Sequence, residues 1–473
     1  MRRLRAIDAA FLYTETAAAP MHAAAIQIFE PAASGEDFFT GFRAHLQERI
    51  AVLPHLHEHL HETPLGLDHP VWIADTNVDL TRHLHLDRLQ PPGSLTQLCR
   101  LAERLYPPLL DRTRPLWEYT VIEGLERGRV AVFGKAHHAC LDGMGAQATF
   151  ETMFSRTPAI EPPPRTHELH EREPGALALL RDAFEHIREQ PRRSLRALPD
   201  LARAAWTLST RAWERRDAPR TPETRFNVEV SEHRRFEVAS LSLAKIRAIA
   251  RAERVSVNDV VMALCGGALR SFLAERHELP PEPLIAFAPV SLRAKGDASA
   301  NNQVFGMLSS LATDVADPLE RLRAVHASSK DAKALLEELK AIAPEDFAIP
   351  GAAALIPALV QLAMALHLTE RVPFCNVTIS NVPGIPHPIY MRGARMVAEY
   401  PMSIVTNGMA LNMTVMGIED ALDFGLVACA RAVPDLDALR DALIESFREL
   451  EKAVAPREAA EELSKSEREA RRA

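Results

Sequence analysis

Cysteine is scarce in this 473-residue chain: Cys99, Cys140, Cys265, Cys375 and Cys429 are odd in number, scattered, and include no Cys-x-x-Cys pair. That excludes a disulfide framework and a zinc knuckle, and it fits a reducing cytoplasm. An excess of positive charge is also missing. The net charge is −8, with acids and bases mixed along most of the chain, so a general nucleic-acid binder is excluded. There is no Gly-x-Ser-x-Gly nucleophile elbow, which leaves a serine hydrolase of that type without support. No tandem repeat is visible. The basic start is interrupted by Asp8 before any apolar signal region can form, and the expectation is a protein that stays in the cell.

What is present centres on Lys135-Ala136-His137-His138-Ala139-Cys140-Leu141-Asp142-Gly143. Residues 128–136 are apolar, β-branched and bounded by glycine, which suits a buried strand, and 144–154 hold good helix formers. The histidines therefore sit on a loop at a strand end, aimed across a core. An imidazole there can take a proton from a hydroxyl and return it to a leaving group, as acyl transfer requires. Neighbours in extended chain point to opposite faces, so His137 and His138 are poorly placed to share a metal ion, and no metal site is expected. A His-His pair is also what two satisfied core histidines beside a turn look like; Asp142 and Gly143 tilt the balance toward chemistry. Cys140 is the covalent alternative. Gly143-Met144-Gly145 imitates a dinucleotide fingerprint, but no strand runs directly into it.

Further candidates are spread along the chain. Ser256 with Asp259 three residues on has the pattern of a helix N-cap, while Asn258 in the first turn offers a carboxamide beside free N–H groups. Arg293 follows an apolar run, 284–290, that should be a core strand, and a charge there needs a partner. In Cys375–Asn381 the residues Cys375, Val377 and Ile379 alternate with Asn376, Thr378 and Ser380, which reads as a half-buried strand whose polar face can line a channel. Trp117 reads as a core residue.

The set His137-His138-x-x-x-Asp142-Gly143 resembles the HHxxxDG signature of the acyl-CoA-dependent acyltransferase superfamily. Ile7-Asp8-Ala9 with Pro20-Met21-His22, Arg114-Pro115-Leu116-Trp117-Glu118, Val257-Asn258-Asp259, Pro289-Val290-Ser291-Leu292-Arg293 and Ser380-Asn381-Val382-Pro383-Gly384 resemble its wax ester synthase/diacylglycerol acyltransferase branch in order and spacing. The resemblance runs from about the first residue to near Glu451; Ile385 departs from it, standing where that family usually continues with proline. It implies an α/β (α+β) fold of two chloramphenicol-acetyltransferase-like domains, each a mixed sheet flanked by helices, with the active-site channel between them. It implies long-chain acyl-CoA as co-substrate, no cofactor, and a fatty alcohol or diacylglycerol as acceptor. His138 is then the general base, His137 and Gly143 shape the loop, Asp142 pairs with Arg293, and Asn258, Ser380 and Asn381 serve the oxyanion or position substrate. Two alternatives stand beside this: a relative that uses a carrier-protein thioester or another acceptor, and a catalytically silent lipid-binding protein.

Composition divides the chain into 1–155, a Pro-rich then Arg-rich helical connector at 156–225, a second strand-and-helix domain at 226–455, and a charged tail at 456–473. In the connector, Leu198, Leu201, Ala205, Leu208 and Ala212 recur at helical spacing among arginines, with Trp206 and Trp213 two turns apart. Either a helix packed on the domains or one lying on a membrane or lipid-droplet surface has that pattern. Residues 347–368 carry no formal charge and are long enough to span a bilayer, but their prolines, Gln361, His367 and many alanines favour a buried or substrate-facing helix.

Overall fold

In the computed structural model of the chain, the described residues are 2–32, 35, 37–140, 149–160, 174–186, 188, 203, 206, 221–291, 304–340 and 373–470. In chain order the strands are β1 (Arg2–Arg3), β2 (His22–Glu30), β3 (Glu58–His61), β4 (Val71–Ala74), β5 (Leu84–Arg88), β6 (Trp117–Glu123), β7 (Val130–His137), β8 (Arg234–Ser242), β9 (Ile285–Ser291), β10 (Val304–Ser310), β11 (Val377–Ile385), β12 (Tyr390–Met391), β13 (Ala394–Met402), β14 (Leu411–Ile418) and β15 (Ala421–Cys429). They form one small sheet, β1-β4-β3, and two six-stranded sheets, β12-β13-β2-β7-β6-β5 and β10-β9-β11-β14-β15-β8. Both large sheets are mixed. The first is parallel at β5–β6, the second at β9–β11 and β11–β14. Helices pack on them, Leu95–Leu105 and Leu436–Ala470 against β8 and Pro318–Lys340 against β10, giving the α/β class that the sequence predicts.

Local pattern explains these elements. β2 buries His22, Ala24, Ile26 and Ile28 and leaves Ala23, Ala25 and Gln27 half-buried, the period-two alternation of a strand with one core face. β14 is buried at every position, as a central strand covered on both faces must be. The helix Val257–Ala274 starts with the predicted capping box: Ser256 Oγ accepts from Asp259 N at 3.1 Å, and Asp259 Oδ2 accepts from Ser256 N at 2.9 Å. Among the described residues it is the one helix long and apolar enough to cross a membrane, and most of it is buried in the second half's core. Residues 347–368 lie outside the described residues, as does the connector apart from 156–160, 174–186, 188, 203, 206 and 221–225.

Chain order does not foretell one exchange. β12 and β13 leave the second half and complete the first sheet, β13 pairing with β2 from Arg395↔Glu30 to Met402↔Ala24. Where β13 crosses β15 the backbones nearly touch: a Cβ on Gly425 would lie 1.7 Å from the Pro401 carbonyl oxygen, so no side chain fits there. The crossing locks the two sheets together beside the strands that carry the histidines.

Candidate active site

β2 and β7 run antiparallel with His22 opposite His137. The strand extends one residue beyond the sequence-based expectation, because His137 N–H finds the Leu116 carbonyl at 2.9 Å, within the Pro115-Leu116-Trp117 segment. The chain then leaves through a 3-10 turn, His138–Cys140. His137 is fully buried. Its Nδ1 accepts the Ala139 backbone N–H at 3.0 Å, which places its ring proton on Nε2, and Nε2 faces Glu15 Oε1 at 3.3 Å. Both ring nitrogens are thus turned to the scaffold.

His138 is held differently. Its backbone N–H donates to the Met21 carbonyl at 2.8 Å, and its ring stacks on Phe11 with centroids 4.3 Å apart and 19° between planes. Nδ1 is buried without a hydrogen-bond partner among the described residues. Burial, helped by His137, pushes its pKa down to about 4, so at neutral pH the ring is an uncharged base. Cys140 Sγ donates to the His137 carbonyl at 2.9 Å, and burial pushes its thiol up to about 12. A thiol so held is no nucleophile at neutral pH.

Glu15, which ends the helix Ala6–Thr14, is the residue that sequence reasoning missed. Its side chain is only 2% exposed; Oε1 accepts the Met21 N–H at 3.1 Å and lies 3.4 Å from His22 Nε2, while Oε2 pairs with Arg112 at 2.9 Å. Burial pushes its carboxyl up, but the contacts with His137, His22 and Arg112 outweigh burial and hold it far below the usual carboxylate range. Tyr106 grips His22 twice, its hydroxyl donating to the His22 carbonyl at 2.9 Å and its carbonyl accepting from the ring at 3.3 Å. Lys135, on the same face of β7 as His137, is buried and donates to the carbonyls of Leu105 and Pro108 and to Glu118. Among the described residues no group of three metal-ligating side chains is arranged to hold an ion.

Asn258, Asp259 and Asn381 fall in a second cluster. Asn381 Nδ2 donates to Asn258 Oδ1 at 3.3 Å, at the end of the capped helix. Asp259 also pairs with His326 at 2.9 Å. Asn381 and Val257 line a cavity of about 460 Å³, apolar apart from Asn381, Arg247 and Glu419, within the size range of ligand pockets. Neither histidine lines it. Ser380 stands on β11 opposite Thr414, half-buried. The expected polar face of β11 does not include Asn376, which is fully buried because its amide closes hydrogen bonds with Ile285, Pro222 and Asn227. Trp117 is core as predicted, its indole N–H donating to the Leu56 carbonyl at 3.1 Å. Asp142, Gly143 and Arg293 lie outside the described residues.

Buried titratable groups give the fold a pH profile. Burial pushes His45 and His138 from 6.5 to about 4, and lowers His22, His69 and His83. It pushes Glu399 from 4.5 up to about 7 and Asp423 from 3.8 up to about 6. Unfolded histidines take up protons near 6.5 while the folded ones resist them, so stability falls with acidification through that window. The two carboxyls work the other way, favouring the fold less as pH rises toward 7. The histidines outnumber the carboxyls five to two, and thermal melts should show a midpoint highest near pH 7 that drops between 6.5 and 4.5; a midpoint that rises on acidification contradicts these assignments.

The chain matches the family model of the wax ester synthase/diacylglycerol acyltransferase catalytic domain over residues 4–261 and that of the WS/DGAT C-terminal domain over 300–451. It is similar to a putative diacylglycerol O-acyltransferase of Mycobacterium tuberculosis, 39% identical over 462 residues that cover 95% of this chain and 99% of the other. One from Mycobacterium bovis is 36% identical over 458 residues, covering 94% and 98%. Among solved structures, the wax ester synthase/diacylglycerol acyltransferase from Marinobacter aquaeolei VT8 superposes with a TM-score of 0.69 at 30% identity, over 96% of this chain and 100% of that one. The starter condensation domain of rhizomide synthetase, solved in complex with C8-CoA and Leu-SNAC, shares the fold at a TM-score of 0.54 and 15% identity, over 96% and 94%.

Proposed function

Because the chain belongs to the wax ester synthase/diacylglycerol acyltransferase family, we propose that it moves a long-chain acyl group from acyl-CoA to the hydroxyl of a fatty alcohol or diacylglycerol, with no resident cofactor. The observation that carries this reading is the division of labour at the end of β7. His137 accepts the Ala139 N–H at Nδ1 and faces the Glu15 carboxylate with Nε2, whereas His138 is an uncharged base with its backbone fixed. In the step, the acceptor hydroxyl oxygen attacks the thioester carbonyl as His138 takes its proton. The tetrahedral oxyanion collapses, the carbon–sulfur bond breaks, and His138 returns the proton to the departing CoA thiolate. No acyl-enzyme forms. Asn258, Ser380 and Asn381 position substrate or serve the oxyanion, Gly143 allows the tight turn, and Asp142 with Arg293 clamps the loop between the halves.

Product analysis tests this. With labelled palmitoyl-CoA and either hexadecanol or dioleoylglycerol, the label should appear in wax ester or triacylglycerol; label found only in free palmitate overturns transfer in favour of hydrolysis.

The same reading includes contact with an anionic lipid surface. On the helical stretch 176–186, Leu177 is 82% and Phe184 69% exposed, and with Arg181 and Arg188 they follow one helical face. Trp206 is 72% exposed and Arg203 is exposed three residues before it. Outward apolar groups alternating with arginines suit anionic headgroups over acyl chains. Floated with vesicles containing phosphatidylglycerol, the protein should co-migrate, and a Leu177→Glu/Phe184→Glu variant should lose most of that binding. Equal flotation of both sinks the assignment.

A further inference from the structure

Pro20-Met21-His22 belongs to a loop that both halves of the molecule hold. From one side, the side chains of Ala19 and Met21 are buried in the second half's core, in the cluster that includes Phe226 and Val230. From the other, the backbone of Met21 serves the histidine site: its carbonyl accepts the His138 N–H at 2.8 Å and its N–H donates to Glu15 Oε1 at 3.1 Å. The loop therefore passes the position of the second half directly to the backbone of the base.

One cation fastens it. Arg234, the first residue of β8, is only 3% exposed. Its guanidinium donates through Nη1 to the carbonyls of Ser231 and His233, and through Nη2 to the carbonyl of Ala18 in the loop. Among the described residues no carboxylate pairs with it, and Nε is buried without an acceptor. Bound, among the described residues, to neutral carbonyls alone, the guanidinium has no ion pair to offset its desolvation, and its fork fixes where Ala18 stands relative to β8.

We infer that Arg234 is a positioning residue for the reaction, anchoring the 15–22 loop to the second sheet so that Met21 and Glu15 hold the His137–His138 segment in register. This rests on His138 being the base. It acts through the loop and touches no substrate.

The test uses the full chain with Arg234→Met and Arg234→Lys, the latter keeping the charge and a single donor nitrogen but losing the fork that reaches both sides. For Arg234→Met, kcat should fall by about 10- to 100-fold while KM for palmitoyl-CoA stays within about threefold, as a misplaced base rather than a lost binding contact would produce. Amide hydrogen exchange should quicken at residues 18–22 and 137–139 and stay unchanged along β14. Arg234→Lys should lie between Arg234→Met and wild type on both measures, and it carries the test if the methionine variant does not fold. Unchanged kcat and unchanged exchange overturn the inference. So does exchange that quickens throughout the molecule with kcat and KM worsening together, the mark of a purely structural residue. If the wild type shows no transfer at all, the proposed function fails; exchange at 18–22 and 137–139 then decides the anchoring alone.

Discussion

Replacing His138 with alanine should lower ester formation by about 10³-fold, within the range a general base contributes, and leave the thermal midpoint within about 2 °C. The two halves of that expectation have separate causes. Its ring nitrogen Nδ1 makes no hydrogen bond among the described residues, so alanine removes the stack on Phe11 without breaking a bond at Nδ1. The backbone bond from residue 138 to the Met21 carbonyl survives the substitution. His137→Ala should behave differently, because it removes the acceptor for the Ala139 N–H and the group facing Glu15, and should lower stability together with turnover. Since His138 keeps its free-base form down to about 4, wild-type turnover should be flat from roughly pH 6 to 8. Turnover retained in the His138→Ala protein would remove the base assignment.

Glu15→Gln should be nearly as damaging by another route. The carboxylate is shared by Met21 N–H, Arg112 and two histidines in a site closed to solvent. Glutamine keeps the shape and one acceptor but withdraws the charge and turns an amide N–H group toward an imidazole N–H. Breaking such a buried set by removing one partner typically costs about 3–5 kcal/mol; here Arg112 is partly exposed and stays hydrated, which places the cost at or below the low end of that range. Turnover should fall by about 10²-fold through the displaced loop, and the midpoint by several degrees. Unlike His138→Ala, the variant couples the two losses. A Glu15→Gln protein with normal turnover and a normal midpoint would show that the carboxylate does not organise the site.

The sequence made legible what local pattern encodes. The strand before the histidines, the capping box of Ser256 and Asp259 and the burial of Trp117 follow from periodicity and side-chain chemistry within a few residues. Two things were not local. β13 carries a strand's alternation, but nothing in it names β2 as partner; Gln27 and Glu399, hydrogen-bonded across that pair, are 372 residues apart in sequence. Glu15 is likewise a single acidic residue in no motif, brought to His137 by the β2–β7 register. A faint signal did exist: an acidic residue ending a helix faces the negative end of the helix dipole, and such a placement calls for a compensating partner. Asn376 was misjudged for the converse reason, since alternation predicts which way a side chain points and not whether buried backbone waits there to pair with it.

Acyl transfer by an uncharged His138 is tested most directly by following CoA-thiol release from palmitoyl-CoA with and without hexadecanol or dioleoylglycerol, in wild type and in the His138→Ala protein. The expected result is release that requires an acceptor, matches ester formed one for one, and falls by about 10³-fold in the variant. Release without acceptor, or equal release from both proteins, would contradict direct transfer through His138.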